Sequence, residues 1–247
     1  MITGASSGIG RGLAVELAKR GARTALIARR TSVLDEIVGE IESRNGTAIA
    51  VAADVQDADA IRTAAARVCS AFGPIDVLIA NAGVGATTYA GDLRSEEVTN
   101  LINVNVLGAV NSVTAVMPDM VARRSGQLVA ISSLAAYRGL PKSAAYCASK
   151  AALSAFFESL RIDLIGSGVF VTIIHPGFIK TPLTAGREAK MPFLMELDDA
   201  VSKMVAAIEK GKKTYAFPWQ LASIVRAGMI MPNFMYDWIA ARSSFRE

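Results

Sequence analysis

Residues 3–10 read Thr3-Gly4-Ala5-Ser6-Ser7-Gly8-Ile9-Gly10, a glycine-rich turn that leads into a helical pattern with Leu13 and Leu17 on one side. The three glycines permit a tight turn and leave backbone amides open to a phosphate, and the following helix points its positive end at that charge. Because no Lys followed by Ser or Thr comes after Gly10, the turn does not match the phosphate loop of kinases. This stretch therefore predicts a strand, a phosphate-binding turn and a helix.

Downstream of this turn, short apolar runs alternate with helical segments. Strand-like runs cover residues 24–28, 48–53, 75–80, 127–131 and 169–174, and helical patterns cover 31–44, 58–72, 95–121 and a segment from about 143. Runs this apolar fit strands that helices cover on both faces. We therefore predict an α/β fold, a Rossmann-type doubly wound parallel sheet with helices on both faces, in a single domain over residues 1–247.

The predicted strands also place polar residues and turns at one edge of the sheet. Gly4, Asn81, Ser133 and Pro176 each follow a predicted strand. In open sheets of this kind, ligands bind beyond the carboxyl ends of the strands. We therefore expect these four residues around one ligand site.

The first strand is unusually short in this sequence. Only Met1, Ile2 and Thr3 precede Gly4, whereas strands in globular proteins usually have about 5–6 residues. We therefore expect a few further residues to belong before Met1.

The composition excludes several classes of protein. The chain has 247 residues, of which 52% are hydrophobic and 19% charged, enough to bury one large core. Its 26 basic and 22 acidic residues are dispersed, so no nucleic-acid partner is predicted. Two distant cysteines and one histidine predict neither a metal site nor a disulfide, and indicate a cytoplasmic protein. No uninterrupted apolar run reaches the ~18 residues of a transmembrane segment, so membrane contact is expected to be peripheral at most.

Ser133, Tyr146 and Lys150 form a candidate proton-transfer group. If the segment from about residue 143 is helical, Tyr146 and Lys150 lie four residues apart on one face. A phenol titrates near ~10, and a fixed cation beside it lowers that pKa toward the working range. Ser133 supplies a hydroxyl for a further hydrogen bond. The group is therefore interpreted as a general acid and base.

At this point the sequence resembles the short-chain dehydrogenase/reductase family. Five motifs match in order: the TGxxxGxG turn at 3–10, the NAG element at 81–83, an Asn at 105, the Ser and Tyr-x-x-x-Lys set, and Pro176-Gly177 with Thr181. Any one of these motifs alone would be weak, whereas five in order over residues 3–181 are specific.

The resemblance implies hydride transfer between a nicotinamide cofactor and a carbonyl or alcohol carbon. In the family, Tyr146 would act as acid and base, Ser133 would hold the substrate oxygen, and Lys150 would also bond the nicotinamide ribose. Asn105 would hold a water that links Lys150 to solvent. The implied cofactor contacts are Gly4, Ser6, Ser7, Gly8, Ile9 and Gly10 at the turn, Asp54 and Val55 at the adenine, Asn81, Ala82 and Gly83 at its ribose, and Tyr146, Lys150, Pro176, Gly177 and Thr181 toward the nicotinamide.

The end of the second strand favours NADP(H) over NAD(H). A carboxylate there suits the ribose 2′-hydroxyl of NAD, and a cation suits the 2′-phosphate of NADP. This chain has Ala28-Arg29-Arg30 and no acid before Asp35. We therefore predict that Arg29 binds the 2′-phosphate, with Arg30 as second choice.

Two segments are expected to bear on the substrate and on partners. Residues 178–197 form a predicted substrate loop, whose cluster Met191-Pro192-Phe193-Leu194-Met195 favours an apolar substrate. The apolar tail at 216–247 is broken by Pro218 and Pro232, which argues against a spanning helix and favours a cover for the core or a subunit contact over a membrane-surface or lid role. The resemblance also implies a homodimer or homotetramer packed through the helices of Asn105 and Tyr146.

Two other functions stay open. One is a sugar-nucleotide epimerase or dehydratase of the larger, extended relatives, which the short chain and the Gly8-Ile9-Gly10 turn disfavour. The other is a non-catalytic dinucleotide-sensing module of the same fold. Such modules can lose the Tyr and the Lys, and this chain keeps both. The leading prediction is therefore an NADP(H)-dependent carbonyl reductase or alcohol dehydrogenase.

Overall fold

A seven-stranded sheet organises the chain in the computed structural model, which describes residues 1–186 and 191–242. All strand pairs are parallel, in the order β3-β2-β1-β4-β5-β6-β7. The strands are β1 Ile2–Thr3, β2 Arg23–Ala28, β3 Thr47–Ala52, β4 Val77–Ala80, β5 Gly126–Ile131, β6 Val169–Pro176 and β7 Thr214–Phe217. The α-helices in the described residues are α1 Gly8–Lys19, α2 Thr31–Glu42, α3 Ala58–Phe72, α4 Ser95–Ile102, α5 Gly108–Ala122, α6 Ala144–Asp163, α7 Leu197–Glu209, α8 Trp219–Ile230 and α9 Asn233–Ala240.

Helices cover both faces of the sheet, as the apolar strands predicted. On one face α3, α5 and α6 enclose a core that includes Val113, Leu128 and Phe157. On the other face α1, α2 and α7 enclose a second core that includes Leu13 and Met204. Because the strands are covered from both sides, they are mainly apolar, and Arg23 at the start of β2 is the one Asp, Glu, Lys or Arg among the strand residues given above. The predicted doubly wound parallel sheet is confirmed.

The sequence pattern did not predict α7 and β7. The strand β7 has only four residues, and it pairs with β6 in a register that places Thr214 beside Ile173. A run this short, directly after two lysines, carries too little periodicity to be recognised. Residues 187–190 of the predicted substrate loop and 243–247 of the predicted tail lie outside the described residues.

The helix predicted over residues 95–121 is interrupted at its centre. A π-helical turn, Asn103–Leu107, separates α4 from α5 and turns Asn105 fully into the interior. The whole run Ser95–Ala122 is long and apolar enough to span a bilayer by composition alone. Its buried side, with Leu101, Val113 and Met120, lies in the core instead. The run is therefore a core helix of this fold.

Thr3 joins the first strand to the turn that follows β4. Its buried hydroxyl accepts hydrogen bonds from the amides of Asn81 (3.1 Å) and Ala82 (3.2 Å). The Asn81 side chain in turn donates to the carbonyl oxygen of Thr3 at 2.9 Å. Gly4, Asn81 and Ser133 follow their strands as expected, whereas Pro176 is the last residue of β6. These bonds fix the distance between two loops at the carboxyl edge.

Replacing Thr3 by Val tests this junction. The substitution removes the acceptor for two backbone amides, so we expect the free energy of unfolding to fall by about 2–3 kcal/mol. Thr3→Ser keeps the hydroxyl and loses one methyl group, for about 1 kcal/mol. Urea denaturation measures both values, and amide exchange at Asn81 and Ala82 is expected to accelerate only in Thr3→Val. Equal effects of the two variants would contradict this account.

Candidate active site

A cavity of about 920 Å³ lies at the carboxyl edge of the sheet. Almost all of the residues predicted to bind a cofactor or to act in catalysis line it, although they come from nine separate segments of the chain. The two exceptions are Gly10 and Asn105, which lie behind the cavity wall. The sequence-predicted lining residues are Gly4, Ser6, Ser7, Gly8, Ile9, Arg29, Arg30, Asp54, Val55, Asn81, Ala82, Gly83, Ser133, Tyr146, Lys150, Pro176, Gly177 and Thr181.

The glycine turn lets the chain pass closer to itself than side chains would allow. A Cβ atom at Gly10 would lie 2.4 Å from the carbonyl oxygen of Gly4. Ser7 precedes α1, and its side chain makes no capping hydrogen bond. The amides of the first helical turn therefore stay available to an anion, and a pyrophosphate fits this turn.

Two arginines stand beside this turn at the end of β2. Arg30 donates to the Ser6 hydroxyl at 2.9 Å. Arg29 is exposed and lies 3.6 Å from the Asp54 carboxylate. Both guanidinium groups line the cavity. The pair supplies positive charge where the adenine end of a dinucleotide would lie.

Ser133 and Tyr146 meet at the opposite end of the cavity. Ser133 follows β5, and its hydroxyl accepts from the Ala135 amide at 3.1 Å, which starts a short 3₁₀ turn. Tyr146 lies in the first turn of α6, close enough to Ser133 for the serine side chain to affect the pKa of its phenol. Burial raises the pKa of Tyr146, and the Ser133 side chain opposes this only in part. The phenol is therefore held in its protonated form.

Lys150 lies on the same face of α6 as Tyr146, as its spacing predicted. Its Nζ donates to the carbonyl oxygen of Ile131 at 2.9 Å and lies 5.9 Å from the centre of the Tyr146 ring. Desolvation lowers the pKa of Lys150 to about 8. We expected this cation to lower the pKa of Tyr146, but burial is the largest effect and raises that pKa instead. Burial also lowers the pKa of Lys150, which makes its positive charge less stable.

Asn105 positions the loop that follows β4. Its side chain accepts from the Val84 amide (2.8 Å) and donates to the Val84 carbonyl (3.0 Å). It also donates to the Ser149 hydroxyl at 2.9 Å, and Ser149 donates to the backbone of Tyr146. The side chain thus connects the NAG loop to α6. The water contact implied by the resemblance stays a prediction.

His175 lies beneath this site, outside the cavity. Its Nε2 lies 3.2 Å from the Ser154 hydroxyl, and its ring stacks on Tyr137 with 4.8 Å between centroids. Burial lowers its pKa to about 4, so the ring is neutral. Across residues 1–186 and 191–242, no group of three or more His, Cys, Asp or Glu side chains is arranged to hold a metal.

Sequence reasoning missed Arg138 and the inner faces of α8 and α9. Arg138 donates to the carbonyl oxygens of Gly228 (2.6 Å) and Met231 (3.2 Å), and its guanidinium lies 4.1 Å from the centre of the Tyr236 ring. Tyr236 donates to the carbonyl oxygen of Gly139 at 2.5 Å. These bonds fasten the tail to the loop between Ser133 and Tyr146. Because they join residues 90 or more positions apart, no local sequence pattern predicts them.

The predicted substrate loop forms another wall of the cavity. Ile179 and Met195 form a parallel bridge, and Lys180 pairs with Glu196, so the two ends of the loop are tied together. Phe178, Thr181, Leu183, Met191 and Phe193 line the cavity from this loop. The inner residues of the tail that line it are Leu221, Ile224, Val225, Gly228, Tyr236, Ile239 and Ala240. The end of the cavity next to Tyr146 is therefore mainly apolar.

A doubly wound parallel sheet with a glycine turn and a buried phenol at its carboxyl edge defines a dinucleotide-dependent oxidoreductase. The short chain dehydrogenase family model matches residues 1–192, and the chain belongs to the short-chain dehydrogenase/reductase family. Members of this class act on CH–OH and C=O groups, which confirms the predicted class of enzyme.

Individual relatives agree with this assignment. An uncharacterized oxidoreductase of Myxococcus xanthus is 48% identical over 242 residues, which cover 98% of this chain and 96% of that protein. The structure of an alcohol dehydrogenase from Thermococcus sibiricus complexed with 5-hydroxy-NADP matches with a TM-score of 0.78 at 26% identity, covering 87% and 93% of the two chains. A short-chain dehydrogenase/reductase from Burkholderia phymatum in complex with NAD matches in fold, with a TM-score of 0.83 at 23% identity over 91% and 90%.

The buried Lys150 ammonium predicts a specific dependence of stability on pH. Below about 8 the amine is protonated in both the folded and the unfolded chain, and folding must desolvate the charge; above 10.5 it is neutral in both. Between these values the unfolded chain binds more protons, so the free energy of unfolding is expected to rise with pH. The comparison is with Lys150→Met, which removes the titrating group and keeps the shape.

Urea denaturation of both proteins over this pH range measures the difference between them. We expect the wild type to gain stability relative to Lys150→Met as the pH increases from about 8. A constant difference would mean that Lys150 does not titrate as a desolvated amine.

Proposed function

We propose that the chain is an NADP(H)-dependent carbonyl reductase or alcohol dehydrogenase that acts on an apolar substrate, with Tyr146 as the general acid and base. The observation that carries this proposal is that the Tyr146 phenol and Ser133 line the same cavity as the glycine turn. A phosphate turn and a proton donor at the two ends of one cavity are what the reaction requires.

The bound nicotinamide would supply the hydride to the carbonyl carbon, or accept it from the alcohol. As negative charge develops on the substrate oxygen, Tyr146 donates its proton and Ser133 stabilises that oxygen by a hydrogen bond. The raised pKa of Tyr146 keeps the phenol protonated, which is the form that carbonyl reduction needs. Lys150, whose Nζ lies 5.9 Å from the centre of the Tyr146 ring, would when protonated contribute positive charge near the phenolate left behind.

Tyr146→Phe tests the assignment of the acid. The variant keeps the ring and loses only the proton donor, so we expect turnover of a carbonyl panel with NADPH to fall by at least about 10³-fold while NADPH affinity changes little. Tyr215→Phe, which removes a phenol outside the cavity, is the matched control and should retain activity.

Absorbance at the nicotinamide band measures turnover, and fluorescence titration measures cofactor binding. Full turnover in Tyr146→Phe would refute the role of the phenol. Binding of NADPH by the wild type with no turnover on any carbonyl would instead favour the dinucleotide-sensing module.

The preference for NADP(H) rests on the two arginines after β2. Solved structures of similar proteins are complexed with either type of cofactor, so the preference must come from this chain's own residues. Arg30 is already aligned by Ser6 beside the glycine turn, and Arg29 is paired only loosely, at 3.6 Å, with Asp54. A 2′-phosphate between the two guanidinium groups would gain charge-assisted hydrogen bonds that a 2′-hydroxyl would not.

Arg29→Ala and Arg30→Ala test the cofactor preference. Each removes a charged hydrogen bond worth about 1.5–3 kcal/mol, so we expect kcat/KM for NADPH to fall about 10–100-fold and kcat/KM for NADH to stay nearly unchanged. Arg44→Ala removes an exposed arginine paired with Glu40 and serves as the control. Steady-state kinetics with NADPH and with NADH measure the two values of kcat/KM. An equal loss of kcat/KM with both cofactors would contradict the proposed role of the arginines.

We propose further that the protein is a cytoplasmic homo-oligomer. Leu107 and Val121 of the long helical run, and Ile162 of α6, are exposed apolar side chains on the helices through which the resemblance implies self-association. Cys69 and Cys147 are both free thiols, which suits a reducing compartment.

A further inference from the structure

The helices α8 and α9 have an apolar outer side. Leu221 and Ala222 of α8 pack inward, against Leu134 among others, whereas α9 buries none of its eight residues. The exposed large apolar side chains of this region are Trp219, Ile224, Met229, Ile230, Phe234, Met235, Trp238 and Ile239. We call these eight residues the tail face. Eight large apolar side chains exposed on two consecutive helices are more than the scattered single apolar residues that soluble monomers normally expose.

We propose that the tail face docks the enzyme onto an anionic phospholipid bilayer, with α8 and α9 lying in the plane of the interface. The first argument is its composition. Trp219 begins α8 and Trp238 lies in α9, both are exposed, and indole rings favour the headgroup level of a membrane. Ile230 and Phe234, between them in sequence, are 88% and 74% exposed and supply aliphatic and aromatic surface to insert among the acyl chains.

The second argument is charge. The segment 219–242 carries the exposed cations Arg226 and Arg242 and one acid, Asp237, within a chain of net charge +4. The Arg242 guanidinium lies 4.3 Å from the centre of the Trp238 ring, beside the apolar surface. Cations next to interfacial aromatic residues match the phosphates of anionic lipids.

The third argument is the cavity. Ile224 and Ile239 belong to the tail face and also line the cavity next to Tyr146, so the cavity reaches the surface within this face. A second protein copy seated here would cover that opening. A bilayer at the same place would leave the opening in contact with apolar molecules dissolved in the membrane. The continuity between cavity and tail face therefore favours a lipid surface over a subunit contact.

The tail face is held outward by polar bonds on its inner side. Arg138 binds the backbone where α8 ends, and Tyr236 binds Gly139, so α9 is fixed at one end of the cavity. With these anchors in place, none of the eight residues of α9 is buried. The apolar side chains of the tail face therefore stay exposed on helices that are bonded to the rest of the chain.

Flotation of the full-length protein with vesicles of phosphatidylcholine and phosphatidylglycerol in equal parts tests the proposal. We expect the wild type to float with these vesicles and much less with vesicles of phosphatidylcholine alone. The double variant Ile230→Ser/Phe234→Ser should bind at least about tenfold more weakly, because two inserting side chains are lost.

The matched control is Ile165→Ser/Phe170→Ser. These residues are similarly exposed, at 78% and 64%, but lie near the start of β6, at the edge of the sheet opposite the cavity. This variant should float like the wild type. Binding needs no turnover, so the result is independent of the proposed reaction, which the Tyr146→Phe kinetics test separately.

Three results would overturn the proposal. One is a wild type that does not float with either type of vesicle. Another is an equal loss of binding in the two double variants. The third is a dimer, measured by sedimentation velocity, that Ile230→Ser/Phe234→Ser alone dissociates, since the tail face would then be a contact between copies of this chain.

Discussion

The hydrogen bond from the Lys150 ammonium to the Ile131 carbonyl is the contact on which the site depends. It ties the second turn of α6 to the end of β5, at 2.9 Å, with the amine buried between them. A buried ammonium needs such an acceptor, because desolvation without a partner would cost far more than the rest of the local packing returns. With α6 held in this rotation, Tyr146 and Ser133 both line the cavity.

Burial near that contact shifts the pKa values of two ionisable groups, Tyr146 and Lys150. Burial raises the pKa of Tyr146 and lowers the pKa of Lys150, so both groups are biased toward their neutral forms in the chain alone. The raised pKa therefore keeps the Tyr146 phenol protonated at neutral pH. Asn105 helps to position Tyr146, because its side-chain amide joins the loop after β4 to the backbone of α6 through Ser149.

The C-terminal helices α8 and α9 contribute both to the cavity and to the exposed surface of the protein. Some of their residues line the apolar end of the cavity, and their exposed large apolar side chains form the tail face. Ile224 and Ile239 belong to both sets. Arg138 makes both possible, because a single guanidinium satisfies the carbonyl groups where α8 ends and stacks on Tyr236 of α9. The bonds of Arg138 therefore hold both the apolar lining of the cavity and the exposed side chains of the tail face in position.

The sequence by itself determined what depends on neighbours along the chain. The glycine turn, the four-residue spacing of Tyr146 and Lys150, and the alternation of strands and helices are local patterns, so the fold class and the lining of the cavity could be predicted from them. Tertiary structure alone decided the π-helical turn at Asn105, the pairing of Arg30 with Ser6, the short strand β7 and the role of Arg138. Each of these rests on contacts between residues from 20 to more than 90 positions apart, whose free energy no local periodicity encodes.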